Sequence, residues 1–179
     1  RKVIVNNPKT KDLYFTYAFN NQNYFVHDEM PEIKWKISQN ETKKIGKYIC
    51  KKAITTYRGT ELEAYFTTEI PVSLAPHKLS GLPGLVMEMR SFGQIYYIWT
   101  VKNIEFPYNG VPNYSPKYLK SLRPIEIKDL VKKIDDKIEE EFNIQQSKLE
   151  FPAGVKLSSV NVVRVNPRRM LETKFEWEK

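Results

Sequence analysis

Hydrophobic and polar positions alternate with a period of two along most of the first hundred residues, and turn-formers break the alternation often enough to predict successive antiparallel strands. Leu13–Phe19 is β-branched and aromatic and runs into the turn-prone Asn20-Asn21-Gln22-Asn23. Tyr24–Val26 follows, then Ile33–Ile37, whose alternation buries one face. A longer strand, Lys47–Tyr57, puts Tyr48, Cys50, Ile54 and Thr56 on one side, with Ile49, Ala53 and Tyr57 on the other. Arg58-Gly59-Thr60 reads as a hairpin turn into Glu61–Thr68, where Leu62, Ala64 and Phe66 share a face. Leu85–Met89 and Gln94–Ile104 form a further hairpin around Ser91-Phe92-Gly93, with Tyr97 and Trp99 turned to the core. Phe106–Arg123, rich in Pro, Asn and Tyr, reads as a surface excursion, and Leu157–Val165 as a last strand stopped by Asn166-Pro167.

One segment has a different period. Ile127, Leu130, Val131, Ile134, Ile138 and Phe142 form one stripe of a helix over about 125–143, opposite a face of mixed Lys, Asp and Glu. Asp129/Lys133, Lys132/Asp136 and Lys137/Glu141 stand at i, i+4, and Pro124 precedes the helix, where a missing N–H costs little. Mixed charge argues for packing on a sheet and against a lipid surface. A meander leaves two open edges, and curvature or closure protects them. The expected fold is α+β and β-dominated: a curved antiparallel meander or barrel-like sheet with one amphipathic helix packed on it, in a single domain over 1–179.

Composition narrows the classes. Among 179 residues, 13% are aromatic, which excludes a disordered chain. No uncharged run approaches the ~20 apolar residues of a membrane-spanning helix. One cysteine excludes an internal disulfide. The net charge is +8, and between Arg1 and Thr60 stand 12 basic residues against 5 acidic ones, so nearly all the excess lies there. Such a lysine-rich third is either a solvated surface or a binder of polyanions or membrane surfaces. The chain opens at Arg1 without a methionine, which suggests a processed product.

The most unusual stretch is Thr67–Val86, containing Gly81-Leu82-Pro83-Gly84-Leu85. Pro83 presets the first central position of a type II turn, Gly84 is expected to supply the positive φ at the second, and Gly81 to permit a close backbone approach. With Trp35-Lys-Ile37, Glu41–Ala53, Tyr57-Arg58-Gly59 and Ala64–Pro71, this segment resembles the GLPGLI family of small exported Bacteroidota proteins over a signature region of 35–86. The resemblance implies an export signal already removed and a periplasmic, surface or secreted location. It implies no activity, although Val86, Tyr65 and Ala75-Pro76-His77 depart mildly from the family pattern.

Candidate chemistry is sparse. No His-Glu-x-x-His, Gly-x-Ser-x-Gly or phosphate-cradling loop occurs, and His27, His77 and Cys50 show no metal-ligand spacing. No catalytic residue, cofactor or metal is therefore expected. Cys50 reads as buried packing. Glu61 and Glu63 stand about 7 Å apart along one strand face, a spacing that suits many arrangements. Glu69, with Pro71 at the start of the signature loop (Gly81, Leu82, Pro83, Gly84, Leu85), reads first as an acceptor for backbone N–H groups. Tyr108, Tyr114 and Tyr118 in the polar excursion are the candidate binding surface. The leading function is a non-enzymatic envelope module or carrier binding an apolar ligand, a peptide or an envelope protein. The alternatives are a hydrolase using Glu69 with His77 or Cys50, and a polyanion or membrane-surface binder. Nucleic acid is not expected in the implied compartment.

Overall fold

A computed structural model describes residues 4–7, 11–30, 32–93, 96–107, 123–148, 168 and 170–178. Among them are nine strands and one helix: β1 Ile4–Asn7, β2 Asp12–Phe19, β3 Gln22–Glu29, β4 Lys36–Ile45, β5 Tyr48–Tyr57, β6 Thr60–Thr67, β7 Leu85–Phe92, β8 Ile98–Thr100, β9 Ile125–Glu126 and α1 Ile127–Ser147. The β-dominated α+β class is as expected. A single curved or barrel-like sheet is not: the strands form two open sheets, ordered β1-β2-β3-β9 and β4-β5-β6-β7-β8. The meander breaks between β3 and β4, which belong to different sheets, and β9 returns later to lie parallel to β3.

Each sheet builds its own core. In the five-stranded sheet, register places Tyr57 opposite Thr60, Thr55 opposite Leu62 and Ala53 opposite Ala64, so one face carries a continuous buried row. Phe66, Leu79 and Leu82 complete it, each removed from water and stabilising by roughly 1.5–3 kcal/mol. In the four-stranded sheet, Leu13, Phe15 and Val26 meet Ile127, Leu130, Val131 and Ile134 of α1, the stripe read from the sequence. Lys132 pairs with Asp136 as spaced, whereas Lys137 takes Glu140 instead of Glu141.

Several expectations are corrected. The helix begins later and runs to Ser147. The strand expected over Gln94–Ile104 shortens to Ile98–Thr100, with Tyr97 and Trp99 only half-buried. Ile33 and Trp35 precede β4 and pack on the core as loop residues. Cys50 and Ile54 keep the same side of β5, as its unbroken register with β6 requires, but they differ in burial: Ile54 is exposed, whereas Cys50 is buried opposite Lys43. Leu157–Val165 lies outside the described residues.

The signature turn is built the other way round from the expectation. Gly81 carries the positive φ, +112°, while Gly84 does not. Gly84 is the close approach: a Cβ there would stand 2.1 Å from the Thr67 carbonyl oxygen. The loop must pass directly beneath the end of β6 for the Leu85 N–H to donate to the Ile70 carbonyl and the Val86 N–H to the Leu74 carbonyl, at 3.1 and 2.9 Å. That passage buries Leu82 and leaves no room for a side chain at 84.

The parallel β9 is anchored by an imidazole. His27 on β3 has Nδ1 3.0 Å from the Glu126 carboxylate of β9 and Nε2 3.0 Å from Asp12 of β2. Partial burial lowers its pKa, but the two carboxylates outweigh burial and raise it above the ordinary 6.5.

Two outcomes follow from this geometry. Gly84→Ala should cost about 3 kcal/mol in urea unfolding, and Gly81→Ala, strained but unobstructed, about 1 kcal/mol. His27 should contribute stability in full below pH 6.5 and lose it as the pH rises through its raised folded pKa, since the charged ring is the form the carboxylates favour. Thermal melts from pH 5.5 to 9 should show this slope, and His27→Gln should flatten it.

Candidate functional site

The two sheets share no backbone hydrogen bond among the described residues; side chains hold them together. Asp28 comes from β3, Arg58 from the β5–β6 turn, Lys78 from the signature loop and Glu172 from the C-terminal segment. Their side chains are 1–6% exposed. Arg58 Nη1 donates to Asp28 Oδ2 at 2.8 Å and to Glu172 Oε2 at 3.1 Å, while its Nε donates to Glu176 at 2.9 Å. Lys78 Nζ pairs with Asp28 and, at 2.8 Å, with Glu172 Oε1. Two cations and two carboxylates thus close a buried ring. Burial by itself raises the Asp28 pKa, but the Arg58 hydrogen bonds and the Lys78 charge hold it below the usual carboxylate value.

The C-terminal segment straps the cluster in place. The N–H groups of Thr173 and Lys174 donate to the Arg58 carbonyl at 2.8 and 2.9 Å, and Arg168 reaches Asp135 on α1 at 2.6 Å. Phe175 lies beneath the Arg58 guanidinium at 4.7 Å.

On one side of this cluster the sheets part to leave a cleft of about 210 Å³. β2 supplies Phe15, Tyr17 and Ala18; the opposite wall is Tyr97 and Trp99; His77 and Met170–Glu172 close the ends. Tyr97 and Trp99 stand two apart on an extended backbone, so their rings fall on one face and stack at 5.5 Å and 21° into a flat platform. His77 packs against Phe15 at 6.3 Å. Burial, Tyr97 and Glu172 all raise the Tyr17 pKa, so its hydroxyl stays a neutral donor and acceptor beside the Glu172 carboxylate. Flat aromatic surface with a few convergent polar groups can hold a small ring that is apolar on its faces and polar at its rim.

The residues singled out from the sequence scatter. Glu69 accepts from the Ile49 N–H at 3.1 Å, and its own N–H donates to Thr67 Oγ1 at 3.3 Å. Glu69 and Cys50 are neighbours, and burial, followed by the Glu69 charge, raises the thiol pKa, the opposite of what a nucleophile needs. His77 belongs instead to the intersheet cleft. Glu63 pairs with Lys52 at 3.1 Å and Glu88 with Lys43 at 2.8 Å on the outer face of the larger sheet. Pro71 is exposed, Leu82 buried and Leu85 half-buried. Tyr108, Tyr114 and Tyr118 lie outside the described residues. No group of three or more metal-ligating side chains converges among the described residues, and no helix there is long and apolar enough to cross a membrane.

Sequence reasoning missed Asp28, Arg58, Lys78 and Glu172. Arg58 in a two-residue turn, at φ 44°, reads only as a turn former, and nothing local says that Lys78 is buried. Tyr97 and Trp99 carried a usable signal, two large aromatics at strand spacing beside a Pro- and Tyr-rich excursion.

The model of the family described as N-glycanase peptide, N-terminal domain, matches residues 1–107. Two solved structures of PNGF-II are similar: the C2 crystal form at TM-score 0.42 and 20% identity over 70% of this chain, the P21 form at 0.40 and 22% over 68%. This chain spans 23% and 24% of those longer chains. No curated protein matches. The family match overturns the resemblance to GLPGLI proteins, and the argument for a periplasmic or surface location goes with it. The misleading segment has generic causes: burial of Leu82 and the absence of any side chain at 84 are what a loop doubling back beneath a strand requires.

Asp28→Asn should destabilise the fold by about 3 kcal/mol, because it leaves Lys78 and Arg58 buried with too little negative charge. The stability contributed by the Asp28 carboxyl is complete above its ordinary value of 3.8 and is lost as the pH falls through the lower folded pKa. Urea titrations between pH 2.5 and 6 should show a smaller acid slope in Asp28→Asn than in the wild type.

Proposed function

The chain belongs to the family of N-glycanase peptide N-terminal domains, and from that premise we propose that it is a non-enzymatic glycan-binding module whose intersheet cleft seats one sugar ring of an N-linked glycan. The observation that carries the reading is the stacked Tyr97–Trp99 platform facing Tyr17, with the buried Glu172 carboxylate at its end. A pyranose ring presents C–H groups on its faces, which pack on aromatic surface, and hydroxyls around its edge, which donate to carboxylate and phenol oxygens. Glu172 is held in place by Arg58 and Lys78, so the cleft meets the sugar with an acceptor already oriented.

Binding is favoured over hydrolysis by the state of the candidate acids and nucleophile. Glu69 is committed to the Ile49 N–H, the Cys50 thiol is buried and pushed away from its thiolate, and His77 stands with the aromatic cleft rather than with either. The charge on Glu172 is matched by two cations, which suits a fixed hydrogen-bond acceptor better than a proton shuttle.

Isothermal titration of the chain with chitobiose, the disaccharide core of N-linked glycans, tests the proposal. Binding is expected, with Trp99→Ala weakening it about tenfold while the thermal melt stays cooperative. No binding of chitobiose or of a complete N-glycan, or equal binding by a folded Trp99→Ala, Tyr97→Ala double variant, would overturn it.

A further inference from the structure

We infer that a second cleft, which borders the same ion cluster, is a binding site for an arginine side chain of a partner peptide. This open cleft, of about 830 Å³, lies where the end of β3, the first turn of α1 and the C-terminal segment meet. Arg58 and Asp28 form part of its wall, so the cluster that ends the aromatic cleft at Glu172 also bounds this one.

Charge is the first observation. Six carboxylates and three cations line this cleft in a chain whose net charge is +8, so the local sign is reversed. Asp28 and Glu176 are engaged by Arg58, and Glu126 by His27. Glu29, Glu32 and Asp129 are exposed, and their carboxylates make no ion pair among the described residues. These acids do not converge on a metal ion. Spread carboxylates fit an extended, delocalised cation instead.

The second observation is independent of charge. Tyr57 lines the cleft at 7% exposure, and its hydroxyl has no hydrogen-bond partner among the described residues. A buried hydroxyl left unpaired is costly, and a guanidinium N–H donating to its oxygen would satisfy it. At the rim, Trp177 is 37% exposed and stacks on Phe175 at 4.7 Å and 17°. Phe175 already carries the Arg58 guanidinium, so this aromatic stack is one on which a planar cation rests. A guanidinium can lie on the Trp177 indole and share its five N–H donors among several oxygens; a lysine ammonium offers a compact point charge.

Fluorescence anisotropy of the full chain with labelled tetra-arginine tests the inference, with tetra-citrulline and spermine as comparisons. A chain of charge +8 repels such a cation in general, so non-specific attraction does not produce binding here. Tetra-arginine should bind, tetra-citrulline should not, and spermine should bind more weakly. Combined Glu29→Gln, Glu32→Gln and Asp129→Asn should weaken tetra-arginine about tenfold, and Trp177→Leu about threefold. Tyr57→Phe should weaken it about threefold while leaving the melting temperature unchanged or higher, because the hydroxyl it removes makes no hydrogen bond among the described residues. Trp99→Ala should leave it unaffected, which separates this site from the glycan cleft. Absence of binding, equal binding of citrulline or spermine, or an unaltered affinity in the triple variant would overturn the inference.

Discussion

The buried ring of Asp28, Arg58, Glu172 and Lys78 is the constraint on which the rest of the molecule rests. Each sheet has its own hydrophobic core, and apolar contact between two finished cores is non-directional: many dockings would bury similar area. The ring is directional. A planar guanidinium reaches Asp28 from one sheet and Glu172 from the tail, while Lys78 closes on both carboxylates from the signature loop. Moving one sheet past the other would strand charges out of water, which costs far more than lost apolar contact. The length of the β6–β7 loop and the return of the C-terminal segment then have a common reason, since each delivers one member of the ring.

Elements whose period is local were legible in the sequence. The α1 stripe, the β5–β6 hairpin at Arg58-Gly59 and the alternation of Leu13 and Phe15 follow from side-chain spacing alone. The division into two sheets was not legible, because β3 takes the far-off β9 rather than β4 as its neighbour, and no local spacing reports so distant a pairing. The glycine roles at 81 and 84 were exchanged for a related reason. A Pro-Gly pair suggests a type II turn, but the nearness of the Thr67 carbonyl, a tertiary fact, decides which glycine needs freedom and which needs space. The candidate site was half visible. Tyr97 and Trp99 stood out as aromatics but were read as core; in fact they lie where the core opens. Lys78 and Glu172 sit 94 positions apart, and only the fold relates them.

Charge was the least transferable signal. The lysine-rich first third looked like one basic surface, yet Lys43 is matched by Glu88, and Lys52 by Glu41 and Glu63. Glu63 and Glu88 lie beyond the first sixty residues, so a tally of that segment alone leaves these partners out. The acidic cleft is the converse case. Its carboxylates come from β3, the segment after it, β9, α1 and the tail, and only the fold brings these separate segments together.

Placing both clefts at the junction of the sheets has a mechanical consequence. The walls of the aromatic cleft belong to β2 on one side and to Tyr97 and Trp99 on the other, elements that share no hydrogen-bonded ladder. Its width is therefore set by side chains rather than by strand pairing, and the ion cluster at its end sets the gap. Arg58 contributes to the wall of one cleft and touches the carboxylate that closes the other. The guanidinium has a fixed set of donors to divide among Asp28, Glu172 and Glu176, so the two clefts draw on one finite supply of hydrogen bonds.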